Sequence, residues 1–257
     1  MIVIGEKVNV INTKIGQAMK DRDPGPILEM ARKQVDAGAN MLDINIGQAK
    51  DGPERMAWLV QTIQAEIDIP CCLDSMNPAA IEEGLKVHKG QALINSVNGL
   101  PETIEAYFPL AAQYDSKIIG LTMMNGIPRD ANERAAIAVD IMTGAMTHGV
   151  PVENIYFDPL ILPVKVAQEQ AVQVFEAIKL FRQLNDPPLK TVVGLSNISN
   201  GIFGEVKSLI DCTMLCTLLT LGLDAAIMDP NDKMLIDTLK TVEVFQGNIL
   251  YAPSYLD

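Results

Sequence analysis

The chain has 257 residues, 48% of them hydrophobic, and 20 Lys+Arg against 32 Asp+Glu give it a formal net charge of −12. The apolar fraction supports a sizeable core and excludes a disordered chain, while the acidity argues against a nucleic-acid or anionic-membrane surface, since both require clustered Lys and Arg. With only two His an imidazole-rich zinc site finds too few ligands, and four Cys without a CxxC pair favour reduced core thiols over a disulfide framework.

One pattern repeats along the chain: a short, mostly β-branched apolar run ends in Asp or Asn, and a helical stretch follows. The runs predict strands over residues 2–4, 41–46, 71–73, 92–95, 117–123, 155–157, 191–195 and 225–228. The intervening apolar periodicity predicts helices over 26–37, 54–66, 78–85, 102–114, 132–147, 167–184, 207–221 and 232–245. Punctuation agrees, with DRDPGP placing Asp and Pro at a helix start and Gly38 standing just past that helix's end. Eight strand–helix units at roughly 32 residues each match a single (β/α)8 TIM barrel, expected at about 250 residues. An open doubly wound sheet is the weaker alternative, because no GxGxxG follows the first strand. No linker, charge block or low-complexity tract divides the chain, so residues 1–257 are expected to form one domain. The opening MIVIGEKVNV lacks a basic segment followed by a long apolar run, and no span approaches about 18 apolar residues, so a soluble cytoplasmic protein is expected.

A barrel builds its active site from the C-terminal ends of its strands. That rim reads Glu6, Lys7 and Asn9, then Asp43 and Asn45, then Asp74, Ser75 and Asn77. It continues through Asn95, Ser96, Asn98, Thr122, Asn125, Asp158, Ser196, Asn197 and Asn200 to Asp229 and Asn231. Carboxylates and carboxamides dominate it, a set suited to a flat heterocycle with alternating donors and acceptors. Taken singly, Asn9, Asn77 and Asn231 read as turn or N-cap residues. Asp74, Asn95, Asp158 and Asn197 end or directly follow apolar runs and should converge on the barrel mouth, where four polar groups are costly to bury without a ligand or water. His88 and His148 lie at expected helix ends and read as structural. Lys7, Arg129, Lys165 and Lys207 lie in or beside rim loops and read as ordinary surface charges, although they could offset repulsion of an anionic ligand.

The segments IGEKVN, GANMLDINIG, CLDSMNPAAIEEGL, INSVNG, GLTMMNGIPRDANERA, DPLILP and GLSNISNG, collinear from residue 4 to about 229, resemble the methyltetrahydrofolate:corrinoid-protein methyltransferase family. That family is similar to the folate module of cobalamin-dependent methionine synthase. The resemblance implies a pterin-binding TIM barrel, a homodimer, methyltetrahydrofolate as substrate and a corrinoid carried by a partner protein, with no metal held by this chain. It implies that Asp74, Asn95 and Asp158 hold the pterin ring, that Gly194, Ser196 and Asn197 line the pocket, and that Asn197 approaches N5, which carries the methyl group. Some relatives carry Gln at the position of Asn200, a further binding position, and GIFGEVKSLI after it also departs from the pattern. A carboxamide donates a hydrogen bond but does not titrate near neutral pH, so the N5 proton is expected from water through an extended network. Two other readings are a dihydropteroate synthase-like enzyme, whose phosphate-handling basic loops find no clear counterpart in PLILPV, and a catalytically silent pterin-binding subunit.

Overall fold

Eight parallel strands close in sequence order in the computed structural model, which describes residues 1–256. They are β1 (Ile2–Asn9), β2 (Met41–Asn45), β3 (Cys71–Asp74), β4 (Leu93–Asn98), β5 (Lys117–Leu121), β6 (Ile155–Asp158), β7 (Lys190–Gly194) and β8 (Ala225–Met228). The helices are α1 (Thr13–Asp21), α2 (Pro24–Asp36), α3 (Gly52–Glu66), α4 (Pro78–Val87), α5 (Pro101–Gln113), α6 (Ala131–Thr147), α7 (Val164–Ala167), α8 (Gln170–Phe181), α9 (Glu205–Thr220) and α10 (Lys233–Phe245). The expected (β/α)8 barrel is the fold. Among the described residues no helix is long and apolar enough to cross a membrane.

Several boundaries differ from the sequence reading, for identifiable reasons. Helix α1 has no counterpart in the periodicity. Asn12 caps it by accepting from the Lys14 and Ile15 amides at 3.1 and 3.2 Å, and Ile15, Ala18 and Met19 bury one short face. Strand β1 runs on to Asn9, with an irregularity in its pairing to β2 between Gly5 and Val8. The helix expected over 167–184 is α8, shorter at both ends, and the single turn α7 stands before it without a counterpart in the sequence reading. Strand β7 stops at Gly194, and Leu195–Asn197 instead form one 3₁₀ turn that lifts Ser196 and Asn197 over the mouth.

The inside of the barrel is filled by one side chain from each strand: Ile4, Met41, Cys72, Leu93, Ile119, Tyr156, Val192 and Ala225. All are buried, the most exposed being Met41 at 6%. Neighbouring residues on each strand point outward into the larger core between sheet and helices, as Leu42, Leu73 and Ile94 do. The apolar plug therefore sets a reference height in the barrel, above which each strand has one or two inward positions left.

Candidate active site

Side chains alternate along a strand, so the residue two positions beyond each plug residue faces the same interior one layer higher. Those residues are Glu6, Asp43, Asp74, Asn95, Leu121, Asp158, Gly194 and Ile227. All eight line a cavity of about 370 Å³ at the C-terminal mouth. Four of the eight strands thus place a carboxylate in a single layer above an uncharged plug.

The floor is organised by β2, β3 and β4. Parallel register sets Asp43 opposite Cys72, Asn45 opposite Asp74, and Asp74 opposite Asn95. Asn95 Nδ2 donates to Asp43 Oδ1 at 3.2 Å, and Asn45 Nδ2 donates to Asp74 Oδ2. Asp43 is 3% exposed; burial raises its carboxyl above the usual range, and the Asp74 carboxylate beside it raises it further. Burial also raises Asp74, against the stabilising amide of Asn45. The Tyr107 hydroxyl of α5 donates to the Ser75 carbonyl at 3.1 Å, anchoring the backbone just after Asp74.

On β6, Asp158 Oδ1 accepts from the Leu160 amide at 2.7 Å, and the carboxylate also takes the backbone N–H of Gly194. Burial nevertheless pushes this carboxyl up to about 6. The loop beyond it is fixed by Arg134 of α6, a fully buried guanidinium. Its Nε donates to the Pro159 carbonyl at 2.6 Å, Nη1 to the Asp130 carbonyl at 3.2 Å and Nη2 to Gln170 Oε1 at 2.8 Å. The same positive charge favours the ionised form of Asp158.

At the mouth, Ser196 Oγ donates to Glu6 Oε1 at 3.0 Å, and Glu6 pairs with Lys7, whose ammonium bridges to Asp229 at 2.9 Å. Asn197 is exposed, and its amide lies back over Gly194. Converging carboxylates and carboxamides over an apolar plug form a recess for a small polar heterocycle. A family profile described as "Pterin binding enzyme" matches residues 5–228, a span that contains the whole lining. The chain belongs to the pterin-binding enzyme family.

Within this family the chain is 25% identical over 252 residues to the methylcorrinoid:tetrahydrofolate methyltransferase of Eubacterium limosum, covering 96% of this chain and 92% of that protein. It is 29% identical over 243 residues to the methionine synthase of Mycobacterium tuberculosis, covering 89% of this chain but 20% of that much longer protein. Among solved structures, Yersinia pestis dihydropteroate synthase with a pterin–sulfa conjugate superposes with a TM-score of 0.72 at 17% identity, over 96% of this chain and 94% of that one. The dihydropteroate synthase of Xanthomonas albilineans gives 0.71 at 15% identity, over 95% and 93%. At such identities these two show the shared barrel.

Asp74, Asn95, Asp158, Gly194, Ser196 and Asn197 come together in the one lining of this pterin-binding barrel. Asn200 does not: it is exposed beyond the turn, its amide bonded to the Asn197 carbonyl at 3.2 Å, and it lies outside the lining. Asn77 caps α4 through the Ala79 amide at 3.1 Å, and Asn231 Nδ2 donates to Asp229 at 3.1 Å. Asn9 accepts from the Ile11 amide and also reaches the cavity wall. His88 Nε2 accepts from the Cys71 amide at 3.0 Å, far from any catalytic task. Arg129 and Lys207 are paired with Glu133 and Asp211. Asp43 and Asn45 belong to the site although the rim pattern assigns neither a binding role; counting two residues on from Met41 finds Asp43.

Proposed function

We propose that this protein moves a methyl group between N5 of methyltetrahydrofolate and the cobalt of a corrinoid carried by a separate protein. The observation that carries this reading is the setting of Asn197, a carboxamide exposed at the mouth of a cavity whose deeper layer holds Asp74, Asn95 and Asp158. Acceptors at depth suit the amino-pyrimidinone edge of a pterin, and a donor at the rim suits the nitrogen that gives up the methyl. Similarity along nearly the whole length of a methylcorrinoid:tetrahydrofolate methyltransferase supports the same chemistry.

In the transfer, a Co(I) electron pair forms the bond to the methyl carbon while the C–N5 pair returns to nitrogen, which takes up a proton. A tertiary amine is a poor leaving group, so a hydrogen bond that strengthens as N5 gains charge lowers the barrier, by about 3–4 kcal/mol in the best related cases. The Asn197 amide donates that bond. The proton itself comes from water, and the Gly194 N–H that donates to Asp158 fixes the start of the turn that carries Asn197.

A protein-borne acceptor fits the surroundings of the mouth. Loops after β1, β3, β5 and β7 present Ile11, Met76, Ile127 and Phe203, and α7 presents Val166, all strongly exposed large apolar side chains on the cavity's side of the barrel. Such a collar suits docking of the corrinoid-bearing protein over the cavity. A dihydropteroate synthase-like reaction calls instead for cations facing a phosphate-bearing substrate, and the cavity lining contains neither Lys nor Arg.

Single-turnover spectroscopy tests the reading. Cob(I)alamin mixed with methyltetrahydrofolate and this protein should lose its Co(I) band and form methyl-Co(III), and Asn197→Ala should slow that step about 10²-fold with a smaller loss of folate affinity. Wild-type turnover by Asn197→Ala would refute the role of Asn197. Failure to bind methyltetrahydrofolate would sink the assignment.

A further inference from the structure

Asp43 has no direct part in the transfer described above, yet it is the most deeply buried carboxylate of the cavity layer. It lies in the cavity floor between two donors: the Cys72 thiol opposite it on β3 and the Asn95 amide at 3.2 Å. No cation among its described partners pairs with it. Burying a carboxyl beside another carboxylate is costly and favours its neutral form, and an apolar residue there would avoid that cost but could not accept from Asn95.

The task is visible in the Asn95 amide. A carboxamide carries its oxygen and nitrogen on opposite corners of one plane, so either corner can face a ligand unless something fixes the flip. Asp43 Oδ1 takes the nitrogen corner. That leaves the oxygen corner for the cavity that Asn95 lines, on the strand beside Asp74. Asn45 holds Asp74 from the other side while its own oxygen accepts from the Gly47 amide at 3.0 Å. Both groups that the floor offers a ligand are therefore hydrogen-bond acceptors.

We propose that Asp43 is a positioning residue that locks the Asn95 amide with its oxygen toward the cavity, and so makes the floor selective for a ligand edge bearing adjacent N–H donors. A 2-amino-4-oxo pteridine has such an edge; a 2,4-dioxo pteridine presents a carbonyl oxygen where the amino group was and meets an acceptor. This inference rests on the pterin reading of the cavity and adds the residue that sets its ring specificity.

The test measures affinities for pterin and for lumazine, its 2,4-dioxo counterpart, by fluorescence titration of the full-length wild type and of Asp43→Val and Asp43→Asn. The wild type should favour pterin. Asp43→Val removes the acceptor and frees the Asn95 amide to turn, so the pterin-to-lumazine ratio should fall about tenfold or more, with lumazine binding holding or improving. In Asp43→Asn the new carboxamide keeps an oxygen that accepts from Asn95, and the ratio should remain within a few-fold of wild type. A circular dichroism melt checks folding, and Asp43→Ser, whose hydroxyl is too short to reach Asn95, replaces the Val variant should the latter not fold.

Loss of affinity for both ligands at an unchanged ratio would mean that Asp43 merely supports the fold, and would overturn the proposal. So would a collapsed ratio in Asp43→Asn, or a wild type that binds methyltetrahydrofolate without preferring pterin to lumazine; these leave the methyl-transfer reading standing. A wild type that binds neither methyltetrahydrofolate nor pterin removes that reading and this inference together.

Discussion

A β-carbon on Gly194 would stand 3.0 Å from Nδ2 of Asn197, so the bare backbone at 194 is what lets the Asn197 amide lie back over the end of β7. The φ of Gly194 is −78°, open to any residue, which makes close approach the reason for glycine here.

Gly194→Ala should therefore fold normally yet displace the Asn197 amide from its place at the mouth. We expect single-turnover methyl transfer to slow by about tenfold, with folate affinity changed much less. Combined with Asn197→Ala, it should add little to the loss caused by Asn197→Ala alone, because both remove one interaction. Multiplying losses in the double variant would show that Gly194 acts through something other than Asn197.

Asp158 gives a pH prediction with two signs. Its carboxyl is pushed up by burial to about 6, above the ordinary aspartate value of about 3.9. Between those values the ligand-free folded protein holds a proton that the unfolded chain releases, so this residue's contribution to stability falls as pH rises through the window. Thermal melts should show wild type losing ground to Asp158→Asn from about pH 4 to pH 6. Pterin affinity should run the other way and rise through about pH 6, as the carboxylate becomes available to accept from the ring. A binding profile flat across that range would contradict a carboxylate role for Asp158.

Arg134 should prove structural in a specific way. Its guanidinium donates to the Pro159, Pro128 and Asp130 carbonyls and to Gln170 while wholly buried, so Arg134→Leu removes its donors from four acceptors, of which the Asp130 carbonyl keeps the Arg134 backbone N–H. We expect a loss of about 2–4 kcal/mol in urea unfolding. Arg134→Lys should recover only part of it, since one ammonium cannot reproduce the planar fork. Full recovery by Lys would mean that charge, not geometry, holds the loop after Asp158.

The apolar collar predicts a separation of two activities. Replacing Met76 and Phe203, each 86% exposed, with Ser should raise the apparent KM for a corrinoid protein by about tenfold or more. Transfer to free cob(I)alamin and the urea midpoint should stay at wild-type values. An equal loss with both acceptors would place these side chains in pterin binding rather than in docking.

The strands were legible because each is a short apolar run, mostly β-branched, and two-residue alternation from Ile4, Met41 or Tyr156 reaches Glu6, Asp43 or Asp158 by counting. The count needs the plug residue as its origin, however, and only closure of the barrel identifies that residue. Asp43 therefore looks like one more polar strand end, and its bond to Asn95, 52 positions away, is a product of register between strands. Helix α1 escapes the periodicity because its buried face is only Ile15, Ala18 and Met19, with Gly16 weakening the pattern. The four-residue α7 escapes the periodicity because one turn is too short to show an apolar repeat. Asn200 stays outside the lining because the 3₁₀ turn after Gly194 directs Ser196 and Asn197 to the mouth and carries the chain past it.

The apolar plug has a consequence for the order of events. Eight packed side chains seal the barrel below the polar layer, so the cavity opens at the mouth, and the collar surrounds that opening. If the proposed transfer is right, a folate must already be seated when the corrinoid protein covers the mouth, and the demethylated folate stays trapped until that protein withdraws. On that reading turnover is compulsorily ordered, and an excess of the corrinoid protein, methylated or not, should inhibit by capping the empty recess.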